Sequence, residues 1–143
     1  MLIFIQKMNA TPIGPLVPVG YIRSSLKNLG EAPNQGNEGA PDATLEINEA
    51  YQDALHRLAV GDEIILITWL HQADRSVLQV HPQGNKKNPL TGVFATRSPH
   101  RPNPLGLHRV TILERLSPLQ WKVGPLEAID GTPVVDVKIH WGE

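Results

Sequence analysis

Short strand-like stretches, several of them alternating apolar and polar residues at a period of two, recur along this chain, with one stretch at a helical period. Val19 to Ser24 predicts a first strand, and Ala43 to Ile47, with Leu45 and Ile47 on one face, predicts a second. Tyr51, Ala54, Leu55 and Leu58 then fall at helical spacing. The pattern therefore predicts one main helix over Glu49 to Leu58, stopped by Gly61. Glu63 to Leu70 is a near-continuous β-branched run, as expected of a strand buried on both faces. Further strands are predicted at Val77 to His81, Gly92 to Thr96, Leu107 to Leu116, Gln120 to Val123 and Pro133 to Trp141. Val110, Ile112 and Leu116 share a face in the longest of these. In the last, Val135, Val137, Ile139 and Trp141 alternate against Asp136, Lys138 and His140.

Six or seven strands with one helix imply a mainly β fold: a single-sheet β-barrel or strongly curled sheet with long loops. A Gly-, Pro- and Asn-rich stretch, Asn28 to Asp42, reads as a long loop. Pro12, Pro15 and Pro18, at spacing three, suit an extended arm laid on the domain. The chain thus divides into an N-terminal arm, 1–16, and a barrel domain, 17–143. No internal repeat interrupts this plan.

Composition narrows the chemistry. At 143 residues there is length for one domain core, and no apolar run is long enough for a membrane helix. The absence of cysteine removes disulfides and thiolate chemistry and fits a reducing compartment. The net charge of −1 hides a segregation: residues 75–113 contain no acid but hold Arg75, Lys86, Lys87, Arg97, Arg101 and Arg109. Such a stretch suits an anionic partner, phosphate or nucleic acid, or is a solvated basic loop. No two glycines lie two apart, so a dinucleotide fingerprint cannot occur, and no glycine precedes a lysine as a P-loop requires. The six histidines never fall at i, i+4, and nothing favours a metal site.

The segment Gly92-Val-Phe-Ala-Thr-Arg97-Ser-Pro-His-Arg101-Pro-Asn-Pro-Leu-Gly106-Leu107 stands out. Pro99, Pro102 and Pro104 fix their own φ and push the residues before them into extended backbone. Two arginines four residues apart on a stiff loop suit a carboxylate or phosphate, or simply ride on a proline-rich crossover. This sixteen-residue segment resembles the signature of the TsaA-like (TrmO) family of S-adenosylmethionine-dependent tRNA methyltransferases. Val19-Gly-Tyr-Ile-Arg-Ser24, Ala32-Pro-Asn-Gln35, Leu66-Ile-Thr-Trp-Leu-His-Gln72 and Asp130-Gly-Thr-Pro-Val-Val-Asp-Val-Lys138 agree in order, so the resemblance covers about residues 17–139.

The resemblance implies a β-barrel that binds S-adenosylmethionine without a Rossmann fold and needs no metal. It further implies a cytoplasmic homodimer that methylates the exocyclic amine of threonylcarbamoyladenosine, next to the anticodon of tRNA. Carried over by position, the methyl-donor pocket would use Pro33, Asn34 and Gln35, then His71 and Gln72 at a strand end. It would continue with Arg97, Leu107 and the turn Ala128-Ile129-Asp130-Gly131. Arg97 would hold the donor's carboxylate, and backbone at Leu107 and 128–131 would read adenine. Without the resemblance, His71 and Gln72 end a buried strand, and Asp130-Gly131 is an ordinary turn pair. Gly20, Gly92 and Gly106 are read as backbone requirements.

Methyl transfer from a sulfonium needs alignment more than acid–base groups, although the amine's proton must leave. Asp136 and Lys138, two apart on one strand face, are the candidates for base or positioning group, or form a structural ion pair. Lys86, Lys87, Arg101 and Arg109 are the candidates for a tRNA-facing patch. Where the family continues D-x-K-P-Y, this chain has Asp136-Val-Lys138 followed by Ile139 and His140, and it lacks the C-terminal extension of many bacterial members. These departures motivate an alternative: a non-catalytic S-adenosylmethionine sensor that has lost the acceptor site.

Overall fold

The computed structural model describes residues 11–28 and 39–141. Six strands close a barrel: β1 (Gly20–Arg23), β2 (Ala43–Ile47), β3 (Glu63–Trp69), β6 (Leu105–Ser117), β7 (Gln120–Gly124) and β8 (Pro133–Ile139). Their order around the barrel is β1-β2-β7-β6-β3-β8, and every neighbouring pair is antiparallel. Closure leaves no free edge for another chain to pair with. A separate two-stranded ribbon, β4 (Gln79–Val80) with β5 (Thr91–Gly92), stands apart from the barrel sheet.

The period-two pattern fills the barrel. Ile22, Leu45, Ile64, Leu66, Val110, Ile112, Trp121, Val123 and Val134 all point inward and are buried. Each such side chain contributes on the order of 1.5–3 kcal/mol by leaving water. β3 is not buried on both faces as its apolar run suggests: Ile64, Leu66 and Thr68 are buried, while Ile65, Ile67 and Trp69 are half-buried on the outer wall.

Two bulges reset the inward rows. On β8 the partner of Ile67 is Asp136 and that of Thr68 is Val134, so Val135 is an extra residue. The inward set is therefore Val134, Val137 and Ile139, not the simple 135-137-139-141 alternation, and Trp141 is exposed. On β6 register shifts after Ile112 leave Leu116 exposed, off the face of Val110 and Ile112. An inserted residue flips every side chain beyond it, and a pattern of residue types does not mark the insertion point.

The expected main helix is a 3₁₀ segment, Glu49–Leu55, with Asn48 capping it by accepting from the Ala50 N–H at 2.9 Å. It ends three residues before Leu58, because the next bonds are isolated i→i+3 turns and Arg57 takes φ 78°. Tyr51, Leu55 and Leu58 nevertheless pack on the core, so the apolar spacing reported the buried face correctly. Residues Gly92–Thr96, expected as a strand, hold only the end of β5 and then a 3₁₀ turn, Val93–Ala95. Residues 11–17 are exposed, with Ile13 wholly so, and residues 1–10 of the expected arm lie outside the described residues.

Candidate functional site

A cleft of about 1320 Å³ opens between the β4–β5 ribbon, the proline-rich loop and one end of the barrel. Its walls are the end of β3 (Leu70 to Gln72), the loop 95–101, the start of β6 and the turn 124–132. Among the described residues, no group of three or more histidines or carboxylates is arranged to hold a metal ion.

The loop is held by more than its prolines. The guanidinium of Arg101 donates through Nη2 to the carbonyls of Val93 and of Thr96, the latter at 3.0 Å. Arg75 donates to Pro102 O at 2.7 Å and to Asn103 Oδ1 at 3.2 Å, while stacking over Trp69 at 5.1 Å. The Asp74 N–H donates to His100 Nδ1 at 2.9 Å, and Leu70 N–H to Pro104 O at 2.8 Å. The loop is thereby tied at several points to the β3 end, and its exposed Arg97 is presented on a fixed frame. Arg97 Nη2 donates to the carbonyl of Leu107 at 3.3 Å.

Below the loop lies a buried polar chain. His108, 4% exposed, bonds through Nε2 to Thr68 Oγ1 at 2.7 Å and through Nδ1 to Glu127 Oε1 at 2.5 Å. Three elements meet here: β3 supplies Thr68, β6 supplies His108, and the segment after β7 supplies Glu127. The crossing is possible because Gly106 has no side chain; a Cβ there would overlap Thr68 Oγ1 and His108 Nε2. Buried polar groups cost little only when each is bonded, and this set satisfies both ring nitrogens.

Residues 21–143 match the family model described as the tRNA-methyltransferase O N-terminal domain. The chain belongs to that family. An S-adenosyl-L-methionine-binding protein of Archaeoglobus fulgidus is 41% identical over 123 residues, covering 86% of each chain. A protein of Methanothermobacter thermautotrophicus named as a probable S-adenosyl-L-methionine-binding protein is 42% identical, covering 87% of this chain and 88% of its own. The crystal structure of TrmO from Pseudomonas aeruginosa superposes with TM-score 0.70 at 30% identity, over 95% of this chain. This chain spans 56% of that TrmO.

The TrmO-family positions fall as follows. His71, Gln72, Arg97, Leu107, Ala128 and Ile129 all line the one cleft, brought there from three separate stretches of sequence. Pro33, Asn34 and Gln35 lie outside the described residues. Asp130 turns away: its carboxylate accepts from the Ser24 N–H at 2.9 Å and pairs with Lys27 at 3.3 Å. These contacts, the Ser24 bond foremost, hold its carboxyl below the usual range. It lines a shallow depression of about 390 Å³ with Arg23 and Asp42, and Gly131 beside it takes φ +81° to make the turn.

Asp136 and Lys138, the expected base or positioning groups, lie elsewhere. They form an exposed pair, 3.7 Å apart, on the outer wall of β8, and neither lines the cleft. Val137 and Ile139 face the core, so alternation along β8 sets Asp136 and Lys138 outward. The expected patch is also rearranged: Arg101 is turned inward, and Arg109 Nε bonds Glu63 Oε2 at 2.6 Å. Lys86 and Lys87 remain exposed, with Lys86 at the cleft.

Thr68, His108 and Glu127 are the site residues that sequence reasoning missed. One signal was present: in β6 the inward row reads Gly106, His108, Val110, Ile112, and a histidine in a core-facing row needs a partner. Gly20 and Gly106 are glycines because their neighbours approach too closely for a Cβ. Gly92 has open space around its Cβ position, and nothing in the structure explains it.

Proposed function

We propose that the protein is an S-adenosylmethionine-dependent methyltransferase acting on the exocyclic amine of threonylcarbamoyladenosine, next to the anticodon of tRNA. The supporting observation is the convergence of His71, Gln72, Arg97, Leu107, Ala128 and Ile129 on one cleft. The lining fits the donor's chemistry. Arg97 offers a guanidinium fork to a carboxylate, while Leu107, Ala128 and Ile129 offer apolar surface and backbone groups to a purine. When bound, the donor supplies an electrophilic methyl group on a sulfonium. The chain's part is to fix the two reactants in line and keep water out, which can lower the barrier by about 7–11 kcal/mol.

The reading includes a cytoplasmic setting, in keeping with a cysteine-free chain, and a homodimer. Leu113 and Leu116, on β6 outside the cleft and 40% and 48% exposed, support the dimer. Sedimentation at micromolar concentration tests it: only 15.7 kDa particles would remove the dimer from the reading.

A second reading, a donor-binding sensor without an acceptor, is favoured by the position of Asp136 and Lys138 outside the cleft. Calorimetry with S-adenosylmethionine, and a methylation assay with bulk tRNA carrying threonylcarbamoyladenosine, separate the two. Donor binding with labelled tRNA supports the methyltransferase. Binding without any tRNA methylation supports the sensor, and neither event removes both.

A further inference from the structure

Two carboxylates line the cleft among the described residues, Glu63 and Glu127. Glu63 is tied to Arg109 at 2.6 Å. Glu127 is held through Oε1 alone, by His108, and its Oε2 has no protein partner among the described residues. Its side chain is 18% exposed, so the free oxygen belongs to a mostly desolvated wall. Around it the cleft is cationic or neutral: Arg97, Arg101, Lys86, His71, His81 and His100 supply the remaining titratable groups.

We propose that Glu127 accepts the proton released by the methylated nitrogen, with His108 and Thr68 as positioning residues. This assignment rests on the methyl-transfer reading above. As the nitrogen's electron pair forms the bond to the methyl carbon, the carbon–sulfur bond breaks and its electron pair stays on sulfur as a neutral thioether. Positive charge thus moves onto the nitrogen, and its proton passes to Oε2 of Glu127. A carboxylate at that point favours the transition state over the ground state, because the charge it faces develops only during transfer.

A proton acceptor at Glu127 requires one protonation pattern along this chain of bonds. With Glu127 ionised, His108 Nδ1–H donates to Oε1, and neutral Nε2 accepts from the Thr68 hydroxyl, so each group is satisfied without a charge on the ring. Thr68 is wholly buried and cannot itself meet a substrate. Its place is to fix the tautomer, as the outer members of catalytic relays do. Gly106 is what allows the relay to assemble beneath the loop.

The test uses the full chain with S-adenosylmethionine and tRNA carrying threonylcarbamoyladenosine. Glu127→Gln is expected to lower the single-turnover methylation rate about 100-fold or more while leaving the donor Kd within about threefold. Thr68→Val, which leaves Glu127 in place, is expected to lower the rate about tenfold with donor Kd unchanged. On the unsubstituted protein, ring ¹⁵N NMR should show His108 neutral with the proton on Nδ1 at pH 7. A rate within about fivefold of wild type in folded Glu127→Gln overturns the assignment, as does a doubly protonated His108 ring, which would hold the carboxylate in an ion pair. The NMR measurement decides the question even where the substitution fails to fold. Failure of the unsubstituted protein to bind donor or methylate tRNA overturns the methyl-transfer reading itself, and this assignment with it.

Discussion

The guanidinium of Arg101 folds back onto the carbonyl of Val93, eight residues earlier in the chain, and onto that of Thr96. A residue that sequence reasoning assigned to an RNA surface is thus the clasp of its own loop. Arg101→Ala should remove the clasp, because both bonds come from the one guanidinium nitrogen Nη2. Loss of bonds to a charged donor should cost about 1.5–3 kcal/mol, read as a lower urea midpoint at unchanged slope. An unaltered midpoint would show that the prolines alone hold the loop.

Lys86 and Lys87 are exposed members of the expected basic patch, whereas Arg101 and Arg109 are bonded to Val93, Thr96 and Glu63. Replacing both by Ser should flatten the log–log salt dependence of tRNA binding by about 1.4–1.8 units, at 0.7–0.9 per phosphate contact. Donor binding should not change. Arg109→Ser, which mainly breaks an exposed pair with Glu63, should alter the slope less than the double lysine change. A slope untouched by the lysine pair would make the stretch an ordinary solvated loop.

Arg97 is exposed and lightly held, by one 3.3 Å bond to Leu107. Its fork is therefore free for a carboxylate. Arg97→Ala should weaken S-adenosylmethionine binding by about 1.5–3 kcal/mol in calorimetry, with little effect on thermal stability. Full retention of affinity would take Arg97 out of the donor site.

Gly106→Ala places a methyl group where Thr68 Oγ1 and His108 Nε2 already sit. Those atoms belong to packed, bonded side chains, so the strain should cost about 1–3 kcal/mol. The expected result is a lower melting temperature together with a changed ¹⁵N signature of His108. A variant as stable as wild type would mean that the relay can open without cost.

Acid should loosen the contacts at the β1–β2 side of the barrel. Asp130 is held below the usual carboxylate range by the Ser24 N–H and Lys27, and Glu46 by Arg23 and Gln120. Because folding lowers these pKa values, both groups contribute stability above the unfolded range near pH 4, and it is lost as the pH falls through their folded values. Urea midpoints should therefore drop from pH 5 to pH 3, and Asp130→Asn should shrink that drop. An equal drop in the variant would place the acid sensitivity elsewhere.

The amino-acid sequence by itself determined the fold class, the strand positions to within a few residues, and the loop that carries the site. Alternation in Ala43 to Ile47 is a local signal, since side-chain direction follows from backbone period alone. The family match of the proline-rich segment is likewise a property of residues in order. Three things were decided only by the tertiary structure. The bulges on β6 and β8 redirected Leu116 and Val135, because a one-residue slip depends on what the partner strand presents. Arg101 and Arg109 are held to Val93, Thr96 and Glu63 by bonds that adjacency in sequence does not reveal. Thr68, His108 and Glu127 became one chain because barrel closure sets β3 beside β6 and brings in the segment after β7. Their separations of 40 and 19 residues carry no sequence period, and only the closed sheet makes them neighbours.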